Sequence, residues 1–578
     1  MTLETIIGVS VVVYLCIRWW KKSGIEESGG VHGLACRHKT ASAIILMIGS
    51  FGLIFGGILL IGVSWWLALG AVVFGFLLMW WGTKIEAYRP PQPPRPGAFG
   101  NARWANPVKD REKLREVFAE KGVFLQGLIV VFPSVDVLPM FYNGPRHLIT
   151  VAPSRTGKGT CAIIPNLLTL DDRSVIVIDP KGENAAITAN RRRDFGPVYL
   201  LNPFNEHGLG SARFNPLAHL SIDSPNLVAD VRGLAEALII SDSKETYFSD
   251  TARTLVNVIM LHLVATKGGK ATLPELRRLL TLPRGVEEDH SDDEFRALIF
   301  DMVESPHPFI RQAAAQFEHE TKSIADVIST ARTQTAFLDD PAIARVLSGS
   351  DFNMLDLKAR PASVYIILPS RFLNAYSRFF RLLVVSAIDQ LQSRPGGVQT
   401  TMILDEFAGL GHLSAIETAF GQAAGFKLQL WPFLQDLNQL RSIYKDRWES
   451  FIANAGVVQW FTPNDMFTAE YLSKRLGQKT VTTLSSSYSS NPGGSSSSES
   501  YGEAGQPFQS PVELLALAQN ESILTLSGLE YGIHASRLPY YWRLDPDKAT
   551  KEIAAYSEKF DAFQETLDGQ FDRNPFHG

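Results

Sequence analysis

The chain has 578 residues, with 55 Lys and Arg against 59 Asp and Glu, for a formal net charge of −4. At roughly 150 residues per domain this allows three to four domains, and 45% hydrophobic residues exclude wholesale disorder. A pI of about 6.3 excludes a whole-chain polycation, so any contact with DNA has to come from a local or assembled patch. Cys16, Cys36 and Cys161 are too few and too scattered for a disulfide framework or a zinc site.

Residues 41 to 82 carry no charged side chain. As one helix they would extend about 63 Å, twice the roughly 30 Å of a hydrocarbon core, so the run predicts two membrane spans. Trp65 and Trp66 would mark one interface, and Trp80 and Trp81 the other. Gly52 and Gly56 would let helices approach closely. A shorter apolar stretch at 5–17 predicts a further span, and Arg18, Lys21, Lys22, Arg37 and Lys39 follow it. The positive-inside rule then puts the N-terminus outside and everything after residue 83 in the cytoplasm. The expected anchor is 1–88, with spans at 4–20, 42–62 and 65–83; two spans with an interfacial first segment is the alternative.

Arg89–Pro96 reads RPPQPPRP, an extended spacer. Beyond it, strand-like runs alternate with helical ones, the pattern of an α/β domain with a parallel sheet. The clearest buried strands are expected at Ser174–Ile178, Ser363–Leu368, Thr401–Leu404, Val457–Phe461 and Ser522–Leu526. Between about 226 and 349 the spacing turns helical, at Ser249–Thr266, Pro308–Glu320 and Ser323–Leu338, which predicts an all-α insertion. That leaves 89–225 and 350–578 as two parts of one nucleotide-binding domain. The acidic run VEEDHSDDEF (286–295) reads as a solvated loop rather than a metal site. Residues 485–500 hold ten serines, and the surrounding segment 484–507 is expected to be flexible.

Two motifs carry chemistry. Hydrophobic residues lead into Ala152, Pro153, Ser154, Arg155, Thr156, Gly157, Lys158, Gly159 and Thr160, followed by an apolar helix start. The stretch resembles the phosphate-binding P-loop, in which backbone N–H groups wrap phosphates and a lysine reaches the β- and γ-phosphates. Ala152 replaces the usual first glycine, and Gly159 stands where a Mg²⁺-binding hydroxyl is usual; Thr160 comes one residue later. The second motif is Thr401–Glu406, an apolar strand ending in two carboxylates. Such a strand tip suits Asp405 to Mg²⁺ and Glu406 to orienting and polarising an attacking water. Together the motifs predict a site that hydrolyses a nucleotide.

Further blocks resemble the type IV secretion coupling ATPases, the TraG/TraD-like conjugal transfer proteins. They are GAFGNARWA (97–105), APSRTGKGT (152–160), SVIVIDPKGEN (174–184), FNPL (214–217), LDEFAGLG (404–411), LQDLNQL (434–440) and SRLPYYW (536–542), the last similar to the family's C-terminal strand. The resemblance implies a RecA-like P-loop NTPase domain with an inserted all-α domain and an N-terminal transmembrane anchor. It also implies a homo-hexamer with ATP and Mg²⁺ between subunits in the bacterial inner membrane. Its partners would be single-stranded DNA with its relaxase, or effector proteins, and the components of the secretion channel. Carried over by position, Lys158 binds phosphates, Asp405 serves Mg²⁺, Glu406 activates water and Gln435 senses the γ-phosphate, with local helix-start packing as the alternative for Gln435. Asp179 and Glu183 are left between a structural turn and a functional role. Some relatives place an arginine before the glutamine motif to act in trans, but Gly421–Phe426 has none, which leaves Arg441, Arg447 and Arg537 unranked. A non-hydrolysing docking receptor and a double-stranded DNA translocase are the rival readings. Against the translocase, only about 35 residues follow the block at 533–543, too few for a winged-helix DNA reader.

Overall fold

The computed structural model describes residues 73–74, 98–106, 110, 113–114, 116, 118–119, 121–130, 136–241, 246–283, 293–319, 321–491 and 494–540. The expected spans lie outside these residues except for Val73 and Phe74, and most of the acidic run 286–295 lies outside them too. Among the described residues no helix is long and apolar enough to cross a membrane. The expected multi-pass inner-membrane localisation is corrected accordingly. The two longest helices, Thr246–Lys267 and Leu373–Gln392, are interrupted by Asp250, Arg253, Arg378, Arg381 and Asp389, and most of their apolar residues are buried in protein.

Among the described residues there are thirteen strands: β1 Val123–Val130, β2 Asp136–Tyr142, β3 His147–Val151, β4 Ser174–Asp179, β5 Val198–Leu201, β6 Ser363–Ile367, β7 Thr400–Leu404, β8 Leu428–Leu434, β9 Ala455–Phe461, β10 Gln478–Asn491, β11 Gly494–Pro507, β12 Glu521–Leu526 and β13 Ile533–Ser536. Eleven of them make one sheet in the order β2-β1-β13-β12-β9-β3-β8-β7-β4-β6-β5. From β9 to β5 every neighbouring pair is parallel. From β2 to β9 the pairs are antiparallel.

All five strands expected from apolar runs are found, within a residue or two at their ends. Alternation along them builds two cores, one on each face of the sheet. Ile149, Val151, Ile176, Ile178, Met402 and Leu404 join one core; Leu148, Val175, Val177, Ile403 and Trp431 join the other. Burial of each such side chain stabilises the fold by about 1.5–3 kcal/mol. Residues 227–347 are helical among the described positions, with helices at Leu227–Leu238, Thr246–Lys267, Leu273–Leu280, Glu294–Val303, Pro308–Ala314, Lys322–Gln334 and Pro341–Leu347. Side-chain caps open several of them: Thr272, Asp293, Thr321 and Asp340 each accept a backbone N–H of the first turn.

The chain divides into two compact units, one including Thr480–Gly505 and the other Gly100–Lys479 with the residues from Gln506 on. In the first, the serine-rich segment expected to be a flexible loop is strand: β10 and β11 pair as a separate two-stranded sheet. Thr and Tyr favour extended backbone, and each strand pairs its inward-facing N–H and C=O groups with the other. The expected C-terminal strand at 536–542 is also corrected. The strand is β13, which ends at Ser536, and residues 537–540 leave the sheet.

A polar chain crosses the middle of the sheet. Trp431 Nε1 donates to Thr150 Oγ1 (2.8 Å), Thr150 Oγ1 to Gln459 Oε1 (2.7 Å), and Gln459 Nε2 to the Leu125 carbonyl (2.7 Å). Thr150, Trp431 and Gln459 are fully buried, so no water can replace a lost partner. We expect Gln459→Leu to lower the free energy of unfolding by about 1–3 kcal/mol in denaturant titration, because it strands the Thr150 hydroxyl and the Leu125 carbonyl.

Asp179, the last residue of β4, settles into a structural turn. Its carboxylate accepts from Ala185 N (2.8 Å) and Asn184 Nδ2 (3.3 Å), holding the first turn of helix Glu183–Phe195. Gly182 precedes that helix at φ 70°, a left-handed position that favours glycine. Burial, with Asp405 adding like charge, pushes the Asp179 pKa from 3.8 up to about 6. The folded state therefore holds this proton more tightly than the unfolded chain. Its contribution to stability is highest below pH 4 and falls as the pH rises from about 4 to 6. Asp179→Asn keeps the cap without the charge. We expect it to flatten that pH dependence and to be at least as stable as the parent at pH 8, read from thermal midpoints across pH 4–8.

Candidate active site

In the sheet order β3-β8-β7, three neighbouring parallel strands end side by side. Val151 lies in register with Leu434, and the tips of β7 and β8 pair at Leu404 and Pro432. The segments that follow, Ala152–Thr160, Gln435 and Asp405–Glu406, are thus delivered to one edge, outside the carboxyl ends of the strands where α/β folds bind ligands.

The loop after β3 is fastened to its neighbour, because Ala152 N donates to the Leu434 carbonyl at 2.7 Å. Pro153 is buried and Ser154 and Arg155 crown the loop in solvent. Thr156 Oγ1 bonds back to the Pro153 carbonyl (2.7 Å). Gly157 turns the chain at φ 84°, and Cys161 N then closes on the Gly157 carbonyl at 2.8 Å. The helix opens with a π turn, Gly159–Ile163, before becoming regular at Ile164–Thr169. A Cβ placed on Gly159 would meet nothing within 4 Å, so this residue faces open space. The Thr160 hydroxyl donates to the Gly157 carbonyl (3.2 Å) and is engaged within the loop.

Lys158 reaches across to β7. Its Nζ stands 2.9 Å from Asp405 Oδ1 and donates to the Asp405 carbonyl at 3.1 Å, with the two side chains 26% and 18% exposed. Asp405 Oδ1 is buried, and the ammonium lies outside its hydrogen-bonding directions. That oxygen therefore retains acceptor capacity, which suits a hard, oxygen-seeking cation such as Mg²⁺. Beside it, burial raises the pKa of Glu406, while Lys158 lowers it and Asp405 raises it. A carboxylate with raised proton affinity is a better general base. Gln435 occupies the strand-to-helix turn between the two motifs, where its N–H donates to Gln439 Oε1 (2.9 Å) and Asp436 caps helix Leu437–Tyr444.

The three arginines left open separate. Arg447 is 76% exposed and paired with Glu417 (2.6 Å), and Arg441 is exposed over the Phe467 ring at 5.2 Å. Arg537 is buried against the P-loop of its own chain, where Nη1 donates to the Thr156 carbonyl.

Two features escape reading from sequence. Residues 537–540 form a wall behind the loop, with Tyr540 N donating to Thr160 O (2.8 Å) and Leu538 N to Gln126 Oε1 (3.1 Å). Gln126 in turn donates to Cys161 O (3.2 Å). On the other side, buried Arg381 binds the turn after Glu406 through the carbonyls of Leu410 (2.5 Å) and His412 (2.8 Å), and helix Leu227–Leu238 through Ala237 O (3.2 Å). Burial lowers the Arg381 pKa to about 10. The block 536–542 marks the first feature without its role. Nothing in the apolar sequence around Arg381 marks the second.

Conjugal transfer protein TraG of Escherichia coli is 29% identical over 361 residues, covering 59% of this chain and 56% of that protein. Protein VirD4 of Agrobacterium fabrum is 29% identical over 400 residues, covering 67% and 58% respectively. The chain thus spans somewhat more than half the length of these relatives. Among solved structures, plasmid coupling protein TrwB in complex with ADP and Mg²⁺ superposes with a TM-score of 0.54 at 15% identity, over 78% of this chain and 96% of that one. That likeness establishes the RecA-like α/β fold with its large mixed sheet. The model of the family "Type IV secretory system Conjugative DNA transfer" matches residues 109–566, most of the chain, and the protein belongs to that family.

Proposed function

We propose that the chain is the coupling ATPase of a type IV secretion or conjugation system. In this reading it recruits a relaxase–single-stranded DNA complex, or protein substrates, to the secretion channel and powers transfer by ATP hydrolysis. The observation that carries it is the meeting of Lys158 with Asp405, beside Glu406, across the tip of the strand β8 that separates β3 from β7. The TrwB structure with ADP and Mg²⁺ supports a nucleotide at such a site.

The N–H groups of 157–160 and the Lys158 ammonium would hold the phosphates. Asp405 would hold Mg²⁺, which when bound neutralises phosphate charge and helps align the leaving oxygen. Lys158 then exchanges its carboxylate partner for phosphate oxygens. Glu406 would take the proton of the attacking water, and Gln435 would register the γ-phosphate through its amide. We further propose a homo-hexamer with nucleotide between subunits, in which Arg441 and Arg447 are the exposed candidates for a charge supplied in trans. One observation favours the docking-receptor alternative: glycine stands at 159, where a Mg²⁺-binding hydroxyl is usual.

Steady-state ATP hydrolysis by the full chain, with and without single-stranded DNA, tests the reading. We expect Lys158→Ala to fall to background, and Glu406→Gln to bind nucleotide at parental affinity with turnover slowed by about 10²–10⁴. Stimulation by DNA would favour a nucleoprotein cargo. Parental turnover in Lys158→Ala would overturn the site, and a folded, nucleotide-binding parent without turnover would leave the docking receptor.

A further inference from the structure

Arg537 is 5% exposed, and its surroundings use little of it. A guanidinium carries five N–H donors. Nη1 donates to the Thr156 carbonyl, while Nε and Nη2 are buried without a hydrogen-bond partner among the described residues. The plane lies 4.6 Å from the ring centroid of Phe461, at the tip of β9. The residue directly follows β13, and the N–H groups of Leu538 and Tyr540 pin the next turn to Gln126 and Thr160. The side chain is therefore held from both sides and by the face of a ring. Burying a cation this thinly solvated is unfavourable by several kcal/mol unless negative charge comes close.

The position of the one acceptor says where that charge belongs. In a trans peptide the C=O and the following N–H point in opposite directions. A cation on the Thr156 carbonyl thus sits on one side of the Thr156–Gly157 peptide, with Gly157 N–H directed away from it. Gly157 N–H donates to nothing among the described residues. A cation on the carbonyl draws electron density through the amide and makes its N–H a stronger donor, as in any hydrogen-bonded chain.

We propose that Arg537 is a positioning residue for the nucleotide, acting in the same chain: through the Thr156–Gly157 peptide it strengthens the Gly157 N–H toward a phosphate of a nucleoside di- or triphosphate. The proposal rests on the nucleotide-site reading above. It removes Arg537 from the arginines that act across a subunit boundary. A phosphate is held alike in the ground and transition states, so loss of Arg537 raises KM and leaves kcat within about threefold. An arginine acting in trans on the transition state would lower kcat instead.

Binding of ADP with Mg²⁺ to the full chain, with ATP turnover alongside, tests this in four variants. Arg537→Lys keeps the charge, and Arg537→Gln keeps a donor for Thr156 but no charge. Exposed Arg394→Gln is the control for loss of positive charge elsewhere, and Lys158→Ala the control for the site. We expect ADP to bind Arg537→Gln about tenfold more weakly with KM raised to match, and Arg537→Lys and Arg394→Gln within about threefold of the parent. A folded Arg537→Gln with parental affinity overturns the proposal, as does a fall in kcat at unchanged KM. Should the glutamine variant not fold, Arg537→Met, of similar length, takes its place under the same expectation. If Lys158→Ala also binds ADP like the parent, the nucleotide site itself fails; if only Lys158→Ala loses ADP, the site stands and the role of Arg537 falls.

Discussion

Everything at the candidate site follows from the insertion of β8 between β3 and β7. Neighbouring strands lie about 4.8 Å apart, so the strand before the P-loop and the strand before the carboxylates are held close to 10 Å from one another. Lysine is long enough to cross most of that gap, and Lys158 does so to meet Asp405. Two intervening strands would put Asp405 beyond the lysine. The parallel direction matters equally, because it brings every loop of the site to the same edge.

Rigidity around the site comes from buried polar groups as much as from apolar packing. The Trp431–Thr150–Gln459 chain ties β8, β3 and β9 together beneath the P-loop. Arg381 ties the turn beyond Glu406 to the end of helix Leu227–Leu238. Each of these groups has its acceptors at fixed places, so a shift of one strand or turn breaks bonds that no water can replace. The loop carrying Lys158 and the turn carrying Glu406 are therefore braced independently, and by different parts of the chain.

The parallel half of the sheet was legible because its strands are continuous apolar runs, such as Ser174–Asp179 and Thr400–Leu404, cut off by polar residues at the functional edge. The P-loop and the Asp405–Glu406 pair were legible for the same reason: chemistry sits where the runs stop. The antiparallel half was less so, since β1, β2 and β13 mix Gln, Gly, Pro and His into their strands. The serine-rich hairpin was misread because composition reports the lack of a core, whereas β10 and β11 pair with each other outside the large sheet. Arg537 stood unranked beside Arg441 and Arg447, and its place behind the P-loop was not readable. Its acceptor is a main-chain carbonyl 381 residues away, and a carbonyl has no signature in sequence. Arg381 was hidden for the same reason, with carbonyl partners 29 and 144 residues distant.

The wall formed by residues 537–540 also sets a schedule for biosynthesis. Thr156 and Arg537 are separated by 381 residues, which at 5–20 residues per second means roughly 20–75 s of translation between them. During that interval the P-loop exists without its backing, and near its end β9, once made, waits for the partner that β12 supplies. An apolar sheet with an open edge is a template for wrong pairing. The nascent chain thus spends its most aggregation-prone period with the nucleotide loop already made but not yet supported, and the site can become complete only when nearly all of the α/β body has left the ribosome.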